Sequence, residues 1–82
     1  MTKTEFENQI RIIFSDSEKI IFTYDDAQVS IGFEEENGTI ITYTQLKEIV
    51  ELMYSEDVDT EDIDVLNNVI TIYDLSLNYK SE

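Results

Sequence analysis

Two short runs separated by three residues constrain this chain most. Ile20, Phe22 and Tyr24 alternate with other residues, and so do Val29, Ile31 and Phe33. Successive strand side chains point to opposite sides, so each trio occupies one face of a strand. Asp25, Asp26 and Ala27 join the runs at hairpin length, and strands are expected over Glu18 to Tyr24 and Gln28 to Phe33. Asn37-Gly38 is the strongest short turn signal in the sequence and leads to a third expected strand, Thr39 to Tyr43. Gly38 would supply the positive φ of that turn. Gly32, inside a strand, suggests a bulge or the close approach of another element. Neither glycine suggests a phosphate loop.

The flanking segments follow the helical period. Phe6, Ile10, Ile13 and Phe14 share one helical face, and Thr4 and Glu7 have capping-box spacing, so a helix is favoured over Thr4 to Phe14. Ile10 to Phe14 would also suit a strand. Leu46, Ile49, Val50 and Met53 mark the best helix, Thr44 to Tyr54, capped by Thr42 with Gln45 or by Thr44. The last third carries two periods at once. Ile63, Leu66, Ile70, Tyr73 and Leu77 recur as on a helix, whereas Val69, Thr71, Tyr73, Leu75, Leu77 and Tyr79 alternate as on a strand. A short helix from Glu61 to Asn67 followed by a strand from Val69 is favoured. The expected class is α+β, a three-stranded antiparallel meander packed against helices, with this extra C-terminal strand.

Eighty-two residues suffice for one core and one domain. With 41% hydrophobic residues the chain can offset the entropy of folding, unlike disordered sequences of similar charge. A domain of this size buries only about 60–65% of its unfolded surface, so stability is expected to be modest. The net charge of −14 adds self-repulsion, which salt should relieve. The lack of cysteine rules out disulfides and thiolate zinc sites, and a cytoplasmic setting fits best. No apolar run approaches the length of a membrane span, and no targeting segment is read at the N-terminus. Direct binding of nucleic acid or anionic lipid is disfavoured, because phosphate repels such a surface. Partners should be basic.

Chemistry is sparsely provided. The absence of histidine and cysteine removes the usual general base, the thiolate nucleophile and the nitrogen metal ligands together. The serines lie outside any G-x-S-x-G context and read as caps, turns and strand surface. A carboxylate pair could act as acid and base only in a desolvating cleft, for which so short a chain has little room. The chain is therefore read as non-catalytic, with no cofactor. Asp57, Asp59, Glu61 and Asp62 crowd oxygens, but a calcium loop beginning at Asp57 would place Asp62 where glycine makes the turn and Ile63 next. No metal site is assigned.

Charge is distributed unevenly. Asp25 to Asp64 hold thirteen of the nineteen acidic residues and one of the five basic ones, a net −12, leaving −2 for the rest. In a compact domain the hairpin turn, Glu34 to Glu36, the exposed Glu48 and Glu51 of the second helix, and the loop carboxylates could form one negative face. Duplex DNA carries about one charge per 1.7 Å of axis, so such a face can occupy arginine and lysine sites meant for DNA.

In this respect the chain resembles small acidic phage-encoded DNA-mimic inhibitors, most of all the anti-CRISPR proteins that block Cas9. The likeness is one of size, charge and element order, without a shared motif. It covers an N-terminal helix, a sheet turned at Asn37-Gly38, the helix Thr44 to Tyr54 and the acidic run Glu56 to Asp64. The strand-like Val69 to Tyr79 departs from a purely helical ending. The resemblance implies occlusion of the PAM-binding region of Cas9 loaded with guide RNA, inside a bacterial host cell. It implies Glu34, Glu35, Glu36, Glu56, Asp57, Asp59, Glu61 and Asp62 as contacts, to which Glu48, Glu51 and Asp64 are added on charge.

The alternative is an acidic protein-interaction or assembly module whose charge secures solubility, with Tyr24, Tyr43, Tyr54, Tyr73 and Tyr79 contributing to an interface. Aromatics on strands usually pack, so most of these tyrosines are expected in the core or in cross-strand pairs. Charge specifies sign without shape, so the oligomeric state stays open.

Overall fold

The computed structural model describes residues 1–17, 19–33, 41–66 and 68–75. It contains two helices, α1 (Lys3–Ile13) and α2 (Tyr43–Tyr54), and four strands, β1 (Ile20–Asp25), β2 (Gln28–Phe33), β3 (Ile63–Leu66) and β4 (Val69–Tyr73). The strands form one antiparallel sheet in the order β1-β2-β4-β3. The α+β class holds, and the C-terminal strand from Val69 is present. No helix among the described residues is long and apolar enough to cross a membrane.

The first hairpin forms where alternation places it, with Asp25 opposite Gln28 across a two-residue turn. Both helices begin with complete capping boxes. Thr42 and Gln45 cap α2 as the spacing suggests, whereas α1 is capped by Thr2 with Glu5 instead of Thr4 with Glu7. Gln45 also donates to the Ile13 carbonyl at 3.4 Å, and the Met1 ammonium pairs with Glu56 at 2.7 Å. The N-terminal end of each helix thus adjoins the C-terminal end of the other, so α1 and α2 run antiparallel.

One face of the sheet carries the core. Val29, Ile31, Ile70 and Ile72 are fully buried against Phe6, Ile10 and Phe14 of the first helical segment and Ile49 and Met53 of α2. Each such side chain contributes about 1.5–3 kcal/mol by leaving water. Phe14 meets Phe33 at 4.6 Å between ring centroids, and Phe6 meets Phe22 edge-on at 6.1 Å. Neither α1 nor α2 lies over the opposite face, which carries Ile21, Gly32, Val69 and Leu66.

Three sequence expectations are corrected. Of the third strand, Thr39 to Tyr43, residues 39 and 40 lie outside the described residues, as does the Asn37-Gly38 turn; Ile41 and Thr42 are not in a strand, and Tyr43 opens α2. Both edges of β2 are already taken, by β1 and by β4. The helix expected over Glu61 to Asn67 is one 3-10 turn, Thr60–Asp62, followed by β3. A segment this short gains too few helical bonds to offset nucleation, whereas the free edge of β4 offers β-branched Ile63 and Val65 a ladder. Gly32 forms no bulge, since pairing runs unbroken through Ile21, Gly32 and Val69.

Candidate functional site: the acidic helical layer

The carboxylates singled out by sequence divide into four groups. Glu34, Glu35 and Glu36 lie outside the described residues. Glu48 and Glu51 stand on α2 beside α1, where they rim an open groove of about 380 Å³ lined by Gln9, Ile12, Ile13, Glu48, Glu51 and Leu52. Glu56, Asp57, Asp59, Glu61 and Asp62 follow from the C-terminal end of α2 through the connection to β3. Asp64 pairs with Thr71 on the face of the sheet turned away from the helices. One face joining all eleven residues is therefore not what the fold provides: strand alternation sends Asp64 to the other side of the molecule from Glu48 and Glu51.

The connection after α2 is well anchored. The Val58 amide donates to the Met53 carbonyl at 3.0 Å and the Asp57 amide to the Tyr54 carbonyl at 3.2 Å, the two bonds of a Schellman ending. Asp57 takes the left-handed conformation this requires, φ 62, and Val58 is buried beside Met53. Glu56 is half-buried and accepts the Met1 ammonium, which makes it a structural residue more than a contact. That hydrogen bond holds the ammonium above its ordinary value of 8.0. Hydrogen bonds from the Thr2 backbone and then its side chain likewise hold Glu5 below the usual carboxylate range.

The other carboxylates have little to neutralise them. Among the described residues the ion pairs are Met1–Glu56 and Arg11–Glu7. Arg11 also lies over the Phe22 ring, and Tyr24 donates its hydroxyl to Glu7, so this cation serves the packing of α1 on β1. Glu48, Glu51, Asp57, Asp59, Glu61, Asp62 and Asp64 form no ion pair with another described residue. Among the described residues no three of these groups stand close enough to hold a metal ion. Nor is any charged side chain buried among the described residues.

Sequence reasoning missed several exposed apolar side chains. Tyr43 and Tyr54, at the two ends of α2, are 81% and 68% exposed, and Ile12 on the groove is 67% exposed. Tyr73 is also exposed, Tyr24 is half-buried, and Tyr79 lies outside the described residues. The expectation that most tyrosines lie in the core or in cross-strand pairs is thus corrected for Tyr43 and Tyr54, which stand on α2, while Tyr73 lies opposite Gln28 across β4 and β2. Apolar periodicity along a helix does not show which of its apolar side chains the rest of the fold covers.

Compared with family models, curated proteins and solved structures, the chain matches none. Its function must be argued from this surface.

Proposed function

We propose that this chain is a non-catalytic inhibitor that mimics DNA and occludes the nucleic-acid (PAM) binding site of a CRISPR effector such as Cas9 loaded with guide RNA, acting in the cytoplasm of a bacterial host. The supporting observation is that acidic groups are kept at the end of α2 where folding penalises them. The last turn of α2 has no basic residue and includes Glu51, with Asp57 and Asp59 just beyond. A helix C-terminus carries partial negative charge, so carboxylates there cost about 0.3–1 kcal/mol. Asp57 holds a left-handed position, which aspartate tolerates better than most residues but at a cost of about 1 kcal/mol that glycine would avoid. Together these are a noticeable share of the roughly 5–15 kcal/mol that holds a domain folded. A surface kept acidic against stability is accounted for by a basic partner.

Charge supports the same reading: the chain carries a net −14, and duplex DNA about one negative charge per 1.7 Å. Glu48 and Glu51 stand beside an apolar floor made by Ile12, Ile13 and Leu52. An arginine that otherwise reads a guanine edge could lay its stem on that floor and its guanidinium against the carboxylates. The test is target cleavage by guide-loaded Cas9 in the presence of the chain. Inhibition should be lost when Glu48, Glu51, Asp59, Glu61 and Asp62 are changed together to Gln and Asn. Undiminished inhibition by that variant, or none by the parent chain, would remove Cas9 occlusion by this surface.

The exposure of Tyr43, Tyr54 and Ile12 favours a second reading, an interaction or assembly module without mimicry. Under that reading Tyr43→Ala and Tyr54→Ala harm partner binding more than the neutralised carboxylates do.

A further inference from the structure

The face of the sheet turned away from the helices has a composition unlike the rest of the chain. Register places Ile21, Gly32, Val69 and Leu66 opposite one another in a single row across all four strands. Ile21 and Val69 are each 40% exposed and Leu66 is 67% exposed. The adjacent row is Thr23, Ser30, Thr71 and Asp64. Among the described strand residues pointing this way, only Asp25 and Asp64 are charged, in a chain of net charge −14. A contiguous exposed apolar row is a candidate contact surface.

Gly32 is the second observation. Its φ is not in the left-handed region, and among the described residues an added Cβ would meet only the Ile21 carbonyl oxygen, at an ordinary 3.9 Å. Glycine inside a strand gives up side-chain packing and backbone entropy, and no contact among the described residues calls for it. It leaves a notch in the apolar row, flanked by Ile21 and Val69, that a group from outside can enter.

We infer that this face is where two copies of the chain meet, sheet against sheet about a two-fold axis, with an apolar side chain of each copy seated in the notch left by Gly32 of the other. Charge selects the occupant. A basic partner is drawn to the carboxylates of the helical layer, whereas two like-charged copies repel least where carboxylates are fewest. A row of apolar side chains with a notch is also complementary to itself, as a two-fold interface requires. Packed sheets lie about 10 Å apart, which such side chains span. Area sets the strength. Four strands about 4.8 Å apart and five residues long at about 3.3 Å each present roughly 320 Å² per copy, under half of the about 800 Å² that each partner gives a standard interface. The dimer is therefore weak and forms only in concentrated solution.

Salt dependence separates this contact from binding to a basic partner. Screening relieves repulsion between two acidic copies, so the dimer tightens with salt, while association with a cationic surface loosens. The test is sedimentation equilibrium of the full chain up to about 1 mM in low salt and in about 0.5 M NaCl, beside Gly32→Thr and Leu66→Glu. A Cβ at position 32 meets only ordinary contact among the described residues and threonine suits a strand, so the thermal midpoint of Gly32→Thr should hold or rise while it fills the notch. Dimer mass is expected for the parent chain in high salt, with at least a tenfold weaker association in both variants. A parent chain that stays monomeric at about 1 mM in high salt, or a dimer equally strong in both variants, overturns the inference and leaves the face to another partner or to none.

Discussion

Val58 and Met53 lock the end of α2: the Val58 amide donates to the Met53 carbonyl at 3.0 Å, and both side chains are buried in the same core. This contact fixes the direction of the acidic connection and forces Asp57, just before Val58, into its left-handed conformation. The carboxylates from Asp57 to Asp62 are therefore displayed from an anchored base.

Asp57→Gly should stabilise the fold by about 1 kcal/mol, raising the thermal midpoint by roughly 4–8 °C, because glycine adopts the left-handed conformation freely. Asp57→Val should lower it. Thermal unfolding followed by circular dichroism reads both, and a lower midpoint for the glycine variant would contradict the strain assigned to this position.

Thr42→Ala should cost about 1 kcal/mol through loss of the α2 cap. Gln45→Ala should cost at least as much, since Gln45 both completes the capping box and reaches the Ile13 carbonyl of α1. Urea midpoints at neutral pH measure both, and unchanged midpoints would show that α2 does not depend on its cap.

The Met1–Glu56 pair should make stability fall in alkali. The ammonium titrates higher in the folded chain than its ordinary 8.0, so its contribution is complete below about pH 8 and disappears as pH rises through the folded value. N-terminal acetylation or Glu56→Gln should remove this slope. Glu5 has the opposite sign: its lowered value gives stability that is lost as pH falls through it. Urea midpoints on both sides of pH 8 decide the first case; equal slopes for free and acetylated chains would rule out the pair as the cause.

Salt should stabilise the folded monomer. A net charge of −14 with few ion pairs among the described residues makes repulsion the larger electrostatic effect, and about 0.5 M NaCl screens it to a few ångströms. Thermal midpoints of dilute protein in low and high salt test this, and a falling midpoint would mean that attractive pairs dominate.

The parts of the fold readable in the sequence are those set by neighbours along the chain. The alternation around Ile31 and the spacing of Thr42 and Gln45 each fix a local element, and the hairpin and α2 follow. What escaped depends on residues distant in sequence. Ile63 falls in the helical period of the last third, and only the edge of β4 settles that Ile63 and Val65 form a strand. The row from Ile21 through Gly32 and Val69 to Leu66 exists only once the β2–β4 pairing is known. The same holds for the acidic surface: the excess of carboxylates is plain in the composition, but the parting of Asp64 from Glu48 and Glu51 comes from strand alternation and the placement of both helices on one face.

The most direct test of DNA mimicry is competition. Guide-loaded Cas9 would be immobilised and titrated with the chain over about 0.05–0.3 M salt, with and without a duplex carrying the PAM. The account expects mutually exclusive binding of chain and duplex, with affinity falling at least tenfold across the salt range. Simultaneous binding of both, or an affinity indifferent to salt, would contradict it.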